Sequence, residues 1–353
     1  MSAKNLSLVR KKLLRWYDGN KRDLPWRRSS DPYPIWLAET MLQQTQVKTA
    51  LPYYDRFIAT FPSIEALARA PLQRVLRLWS GLGYYRRAEN LKKAAIQVVR
   101  DHGGKLPDNY QQLRNLAGIG DYTAGAILSI AFQQPYPAID GNVRRVFARL
   151  FTITNENLLR ARAAQLVPRV RPGDFNQALM ELGATTCTPQ NPHCSACPVN
   201  RECAGRQRES PAAPASRPRT RIQNITWPLA IVRRNGKILL RRRATEGLLA
   251  GLWELPGLEL ARGEKLAHVA DRLENELPFT LARPQRIGAI RHTITYRRIH
   301  APIYLFDGDS CSVESLSRRH WRWIFPAGVH KQASSSMTAK AVRMLTDYEK
   351  SLP

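Results

Sequence analysis

The chain has 353 residues and carries 55 Lys and Arg against 28 Asp and Glu, a formal charge of +27. That length suggests two or three domains, and no apolar run approaches the roughly 20 residues that a membrane span needs. The part before residue 205 is basic and so is the part after it, so the charge is not one tail on a neutral enzyme; a polyanion, nucleic acid above all, is the natural partner.

The chain opens MSAKNLSLVRKKLL with no secretory signal. This predicts a reducing cytoplasm and, with the charge, a place at a bacterial nucleoid. Residues 34 to 50 alternate apolar and polar at helical spacing and predict one helix. Ser63 with Glu65 opens another, Gly81 and Gly83 stop a third, and Tyr84 to Arg100 forms a fourth. Glu39 lies in the first of these among apolar and amide neighbours, with Gln43 one turn on. A lone acid near a helix start is commonly a solvated partner of the helix dipole. Amides at that spacing also suit base edges or a vacated base stack.

Asp108 to Asn115 reads as a short helix ending in the turn Leu116-Ala117-Gly118-Ile119-Gly120, with a new helix beginning at Asp121. Two glycines let backbone approach a ligand, and a helix N-terminus offers unpaired N–H groups, a combination suited to a DNA phosphate. A plain glycine-rich connection competes with that reading, and the basic balance decides for the phosphate. Asp140, in Ala138-Ile139-Asp140-Gly141-Asn142-Val143, is placed to cap the helix that follows, which does not exclude chemistry. Spacing alone does not bring Glu39 and Asp140 together.

Cys187, Cys194, Cys197 and Cys203 come next, spaced Cys-x6-Cys-x2-Cys-x5-Cys. Thiolates this close wrap one metal centre. Disulfides suit a reducing compartment poorly, and zinc sites more often show two short pairs split by a longer loop. An iron–sulfur cluster is therefore favoured over zinc. Cys311 stands alone and reads as a small core residue. Residues 205 to 224, GRQRESPAAPASRPRTRIQN, read as an extended linker. Beyond it the texture changes: Asn235-Gly236 between two apolar runs signals a hairpin over Ile231 to Leu240. Ile299 to Phe306 reads as a strand and Ser336 to Tyr348 as a closing helix, so an all-helical first half precedes an α+β second half.

The cysteine loop, the LAGIG turn and Ile139-Asp140-Gly141-Asn142-Val143 resemble the helix-hairpin-helix DNA glycosylases that carry an iron–sulfur loop. Within that superfamily LPWR (Leu24 to Arg27), AETMLQQTQV (Ala38 to Val47) and GLGYYRRAENL (Gly81 to Leu91) look like the adenine DNA glycosylases of the MutY type. The resemblance implies a multidomain chain: an all-α helix-hairpin-helix glycosylase domain over 1–205, with the hairpin near 108–132 and the [4Fe–4S] loop over 187–203. A linker over 206–225 and an α+β Nudix-like domain over 226–353 would follow. It also implies a monomer that acts in base excision repair on double-stranded DNA, removing adenine mispaired with 8-oxoguanine or guanine. The cluster would serve structure and DNA engagement. A sliding clamp stays open as a protein partner, which the residues do not themselves show.

Under this resemblance Glu39, desolvated by its neighbours, is the general acid on adenine, and Asp140 stabilises the oxocarbenium-like sugar. Tyr122 and Asn142 support and shield them. Gln44 and Tyr84 match positions that intercalate beside the flipped base and the oxidised guanine; Gly118 and Gly120 meet the phosphate, and Trp26 and Arg27 line the adenine pocket. The related lyases, the endonuclease III branch, carry a lysine nucleophile just before Thr-Ala. Here Tyr122 precedes Thr123-Ala124, and a phenol forms no Schiff base, which predicts a monofunctional enzyme. Gly251 to Gly257 looks like the approach to a Nudix box, but LELARGEKLAHVADRLENE lacks the ordered acids of a magnesium site, so no pyrophosphatase activity is expected. Where many members place Phe-Ser-His after a His-Thr pair, this chain has Ile294-Thr295-Tyr296, leaving Thr295 as the hydroxyl for the lesion. A non-catalytic DNA-binding protein is the alternative; it would bind without product and be indifferent to Glu39 and Asp140.

Overall fold

The computed structural model describes residues 3–206, 221–260, 272–273, 277, 284–308 and 320–351. By internal contacts the chain divides into two units, Met1–Arg69 with Asn90–Pro218, and Ala70–Glu89 with Arg219–Pro353. Cys311 and most of the stretch from 258 to 276, where a hydrolase would place its acids, lie outside the described residues.

The described part of the first unit is helical: α1 Ala3–Asn20, α2 Pro32–Leu42, α3 Val47–Thr60 and α4 Ile64–Arg69 come first. After α5 Leu72–Trp79, which belongs to the second unit, α6 Arg86–His102 passes from one unit to the other. Then follow α7 Tyr110–Arg114, α8 Asp121–Ile130, α9 Gly141–Leu150, α10 Glu156–Leu166 and α11 Pro172–Thr185. The single helix expected over 34–50 is in fact two, α2 and α3, which pack on each other. Gln44 between them adopts φ 58, a left-handed turn that no helical hydrogen-bond ladder can cross. The apolar spacing runs on through the break because both helices bury a face.

One core cluster joins α1 (Val9, Leu13, Tyr17), α9 (Val143, Phe147) and α11 (Phe175, Leu179), and Cys187, Cys197 and Cys203 pack against it. Each such buried side chain stabilises by about 1.5–3 kcal/mol. The α8 helix runs through the interior, buried from Thr123 to Ile130. At Gly125 an added Cβ would stand 2.2 Å from the Pro137 carbonyl oxygen, so only glycine lets this helix lie so close to the segment leading to Asp140.

The second unit is built on a mixed sheet of β1 Gln223–Thr226, β2 Leu229–Arg234, β3 Lys237–Arg242, β4 Trp253–Glu254, β5 Gln285–Ile294, β6 Arg297–Asp307 and β7 Trp321–Ile324. Strand β6 pairs parallel with β1 and β2 and antiparallel with β5, while β3 pairs with β2, β4 and β7. The expected β2–β3 hairpin is present, with Asn235 and Gly236 both at positive φ (48 and 69) as its tight turn requires. Residues 223–225, read as the tail of a linker, belong to strand β1: this short polar stretch gains its ladder from β6, distant in sequence, and shows no local sign of it. The closing helix, Ser336–Lys350, starts at an N-cap Ser335 that accepts from the Thr338 amide, and it packs on β5. Among the described residues no helix is long and apolar enough to cross a membrane.

Candidate active site

The structure brings together the four residues assigned to chemistry. Helix α2 is buried along nearly its whole length, so Glu39, 4 % exposed, has its carboxyl inside the protein. Tyr122, in the first turn of α8, donates its hydroxyl proton to that carboxylate. Burial above all, with the charge of Asp140, pushes the Glu39 carboxyl up to about 7 against the opposing Tyr122 bond and the charge of Arg27. Burial and both carboxylates hold the Tyr122 phenol well above its ordinary value, so it remains a donor.

Asp140 is the N-cap of α9, as its place in the sequence allowed. One oxygen accepts from the Val143 amide at 2.7 Å and the other from the Asn142 side-chain amide at 2.9 Å. Burial raises its carboxyl too, and these donors work against that rise by stabilising the charged form. The two acids thus meet different surroundings: one phenol donates to Glu39, whereas two amides favour the charged form of Asp140.

Residues that the sequence reading missed complete the frame. Arg145, on α9, donates to the Asn142 side-chain oxygen at 2.8 Å, to the Gly183 carbonyl at 2.6 Å and to the Cys187 carbonyl at 2.8 Å. Arg149, one turn on, donates to the Thr188 and Pro189 carbonyls and lies 3.4 Å from the Cys187 sulfur. A continuous run of hydrogen bonds therefore links the cysteine loop to Asp140. Glu181, fully buried, accepts from Arg22 at 2.6 Å and from Arg27 at 2.7 Å. Although burial pushes its carboxyl up, those two arginines carry it below its ordinary value. The available signal was the buried face of α9 and α11, where an arginine or glutamate needs a partner.

Gly183 tests that frame. A Cβ there would stand 2.5 Å from the Asn142 Cβ, so Gly183→Ala must displace Asn142 and with it the bond to Asp140. We expect about a 10-fold slower single-turnover rate, with duplex binding unchanged, measured by rapid-quench excision. An unchanged rate would show that Asn142 does not position Asp140.

Trp26 is buried, edge-on to Tyr54 at 5.0 Å, and Arg27 lies over the Tyr17 ring at 5.5 Å. Gln44, Tyr84 and Thr295 are exposed, and each is a non-glycine residue at positive φ (58, 50 and 54). Thr295 forms the β5–β6 turn. At the hairpin, Gly118 has φ 77, and a Cβ there would meet that of Asn90 at 2.7 Å. A Cβ at Gly120, which precedes α8, would meet nothing within 4 Å, so the space before that helix is open.

All four cysteines of the loop line one cavity and none is paired in a disulfide. Burial, then the other three sulfurs, pushes the Cys197 thiol up to about 11. Among the described residues no three His, Cys, Asp or Glu side chains are arranged to hold a single metal ion.

Comparison with known proteins bears on this arrangement. Residues 37–169 match the family of HhH-GPD superfamily base excision DNA repair proteins, and residues 229–344 match the NUDIX domain. The adenine DNA glycosylase of Mus musculus is 36 % identical, over 98 % of this chain and 79 % of its own. That of Homo sapiens is 35 % identical, over 96 % of this chain and 74 % of its own. The structure of a thermostable thymine-DNA glycosylase superposes with a TM-score of 0.55 at 30 % identity, covering 58 % of this chain and 97 % of that one. The chain belongs to the adenine DNA glycosylase family of base excision repair, enzymes that hydrolyse N-glycosidic bonds in DNA.

Proposed function

We propose that the chain is a monofunctional glycosylase that removes adenine mispaired with 8-oxoguanine or guanine. The observation that carries this reading is the Tyr122–Glu39 hydrogen bond beside a donor-stabilised Asp140. Adenine leaves poorly as an anion. Glu39, kept protonated near neutrality by burial, gives its proton to N7 of the flipped base as the bond to the sugar breaks, so adenine departs neutral. The sugar gains oxocarbenium character, which the Asp140 carboxylate stabilises. Water adds to the sugar and its proton returns to Glu39, leaving an abasic site. Tyr122 occupies the position of the lyase lysine and offers no amine, so the strand is not cut.

Extruding adenine costs a few kcal/mol. Gln44 and Tyr84, held proud of the surface, are suited to fill the gap, and the Thr295 hydroxyl to meet the oxidised guanine. Cys187, Cys194, Cys197 and Cys203 would hold a [4Fe–4S] cluster; four unpaired thiols around one cavity fit such a group. Bound there, it would fix the loop and take no part in base removal, while Arg149 and Arg145 tie that loop to α9.

The test is single-turnover excision on labelled duplexes with adenine opposite 8-oxoguanine, guanine or thymine, each product split with and without alkali. Alkali-dependent cleavage opposite 8-oxoguanine and guanine, and none opposite thymine, is the expected result. Breaks without alkali would reveal a lyase, and tight binding without product would leave a recognition protein.

A further inference from the structure

We propose that the second unit carries an anion-binding cavity that takes clustered phosphate groups, independent of the excision chemistry. The cavity has a volume of about 580 Å³, in the range of small-molecule sites. Among the described residues its lining includes five cations, Arg74, Arg77, Arg242, Arg322 and Lys331, and no acid.

The periods of the elements gather these charges. Helix α5 buries Val75, Leu76 and Trp79, which leaves Arg74 and Arg77, three residues apart, on its exposed side. Along β3 successive side chains alternate between faces. Arg241 and Arg243 reach the buried Glu254 carboxylate at 3.4 and 2.8 Å, while Arg242 between them lines the cavity. Glu254 thus answers the arginines on the opposite face of the strand. Arg322, on the adjacent β7, lies 4.5 Å from the centre of the Trp253 ring and donates to the Gln332 side-chain oxygen at 2.7 Å. Both of those partners are neutral: they fix the guanidinium and leave its charge intact. The Gln73 amide donates to the Gly251 carbonyl at 2.9 Å and holds α5 at the turn before β4.

A chain of this charge has cations over much of its surface, but a concave site with five of them, no lining acid and a pre-positioned arginine is a different matter. Like charges around a hollow repel one another, and an anion that enters offsets that repulsion. Guanidinium forks match phosphate oxygens in pairs, which favours phosphate over a simple halide. Two or three linked phosphates suit five cations. A run of DNA backbone phosphates and a free polyphosphate both present that chemistry.

Inorganic tripolyphosphate, titrated calorimetrically into the full chain at low salt, tests the site. The variant Arg77→Gln/Lys331→Gln is compared with Lys11→Gln/Arg15→Gln, which removes the same charge from exposed positions on α1. We expect at least ~10-fold weaker binding in the first and less than ~2-fold change in the second. Equal affinity in both, or equal loss in both, overturns the proposal. Arg242→Gln, which leaves α5 untouched, must give a loss of the same kind, and matching thermal melts exclude misfolding. The source is then read from duplex binding: if backbone phosphates occupy the cavity, the slope of log affinity against log salt falls by about 1–2 in the first variant. An unchanged slope assigns the same site to a free polyphosphate.

Discussion

A Glu39→Gln enzyme is expected to bind mismatched duplex as the parent does and to excise adenine ~10²–10⁴-fold more slowly. The amide keeps the shape of the side chain and an oxygen for the Tyr122 hydroxyl, but has no acidic proton to give. Retention of the parental rate would remove Glu39 from the mechanism. The same group sets the pH profile. The acid must be protonated, so single-turnover rates should hold below pH about 7 and fall about tenfold per unit above it. Asp140 must be ionised, so an acid limb should lie above the ordinary carboxylate value of 3.8.

The raised carboxyl has a sign for stability as well. The folded Glu39 pKa of about 7 exceeds its ordinary 4.5, so the native state binds this proton more tightly than the unfolded chain. Stability from this group is therefore highest below pH 4.5 and declines as pH rises to 7. At about 1.4 kcal/mol per unit the loss reaches ~3 kcal/mol above that point. Glu39→Gln should accordingly melt higher than the parent at pH 8, with the gain shrinking towards pH 4.5. At pH 8 the fold would be steadier without the acid proposed to drive the chemistry.

The second large effect belongs to Asp140. Asp140→Asn retains an oxygen for the Val143 amide, so the α9 cap should survive and the melting temperature should move little. The fixed negative charge beside the sugar is lost, and we expect excision to slow by ~10²–10³. Asp140→Ala should lose the cap too, at a further cost of about 1 kcal/mol in stability, which separates the two roles. A full rate in Asp140→Asn would mean that the carboxylate serves the helix alone.

Glu39 and Asp140 were both visible in the sequence, but their meeting was not, because it depends on α2, α8 and α9 packing and no local period encodes that. The Asn235-Gly236 hairpin and the Asp140 cap were legible because each is written within four residues. Arg145, Arg149 and Glu181 were not, since each looks like a surface residue until its partners arrive from Gly183, the cysteine loop and Arg27. Gln44 gave no warning of a break, as neither glycine nor proline stands there. The β1 strand was hidden because its pairing partner, β6, lies far along the chain.

Gln44, Tyr84 and Thr295 share a backbone that glycine would adopt with less strain. Replacing each by glycine should release about 1 kcal/mol while deleting the side chain assigned to DNA. Heat-resistance selection that never exposes the protein to a lesion would then drift towards glycine at all three. The survivors would be sturdier proteins without the side chains proposed to meet DNA, so any stabilised version needs these positions held fixed or screened on duplex.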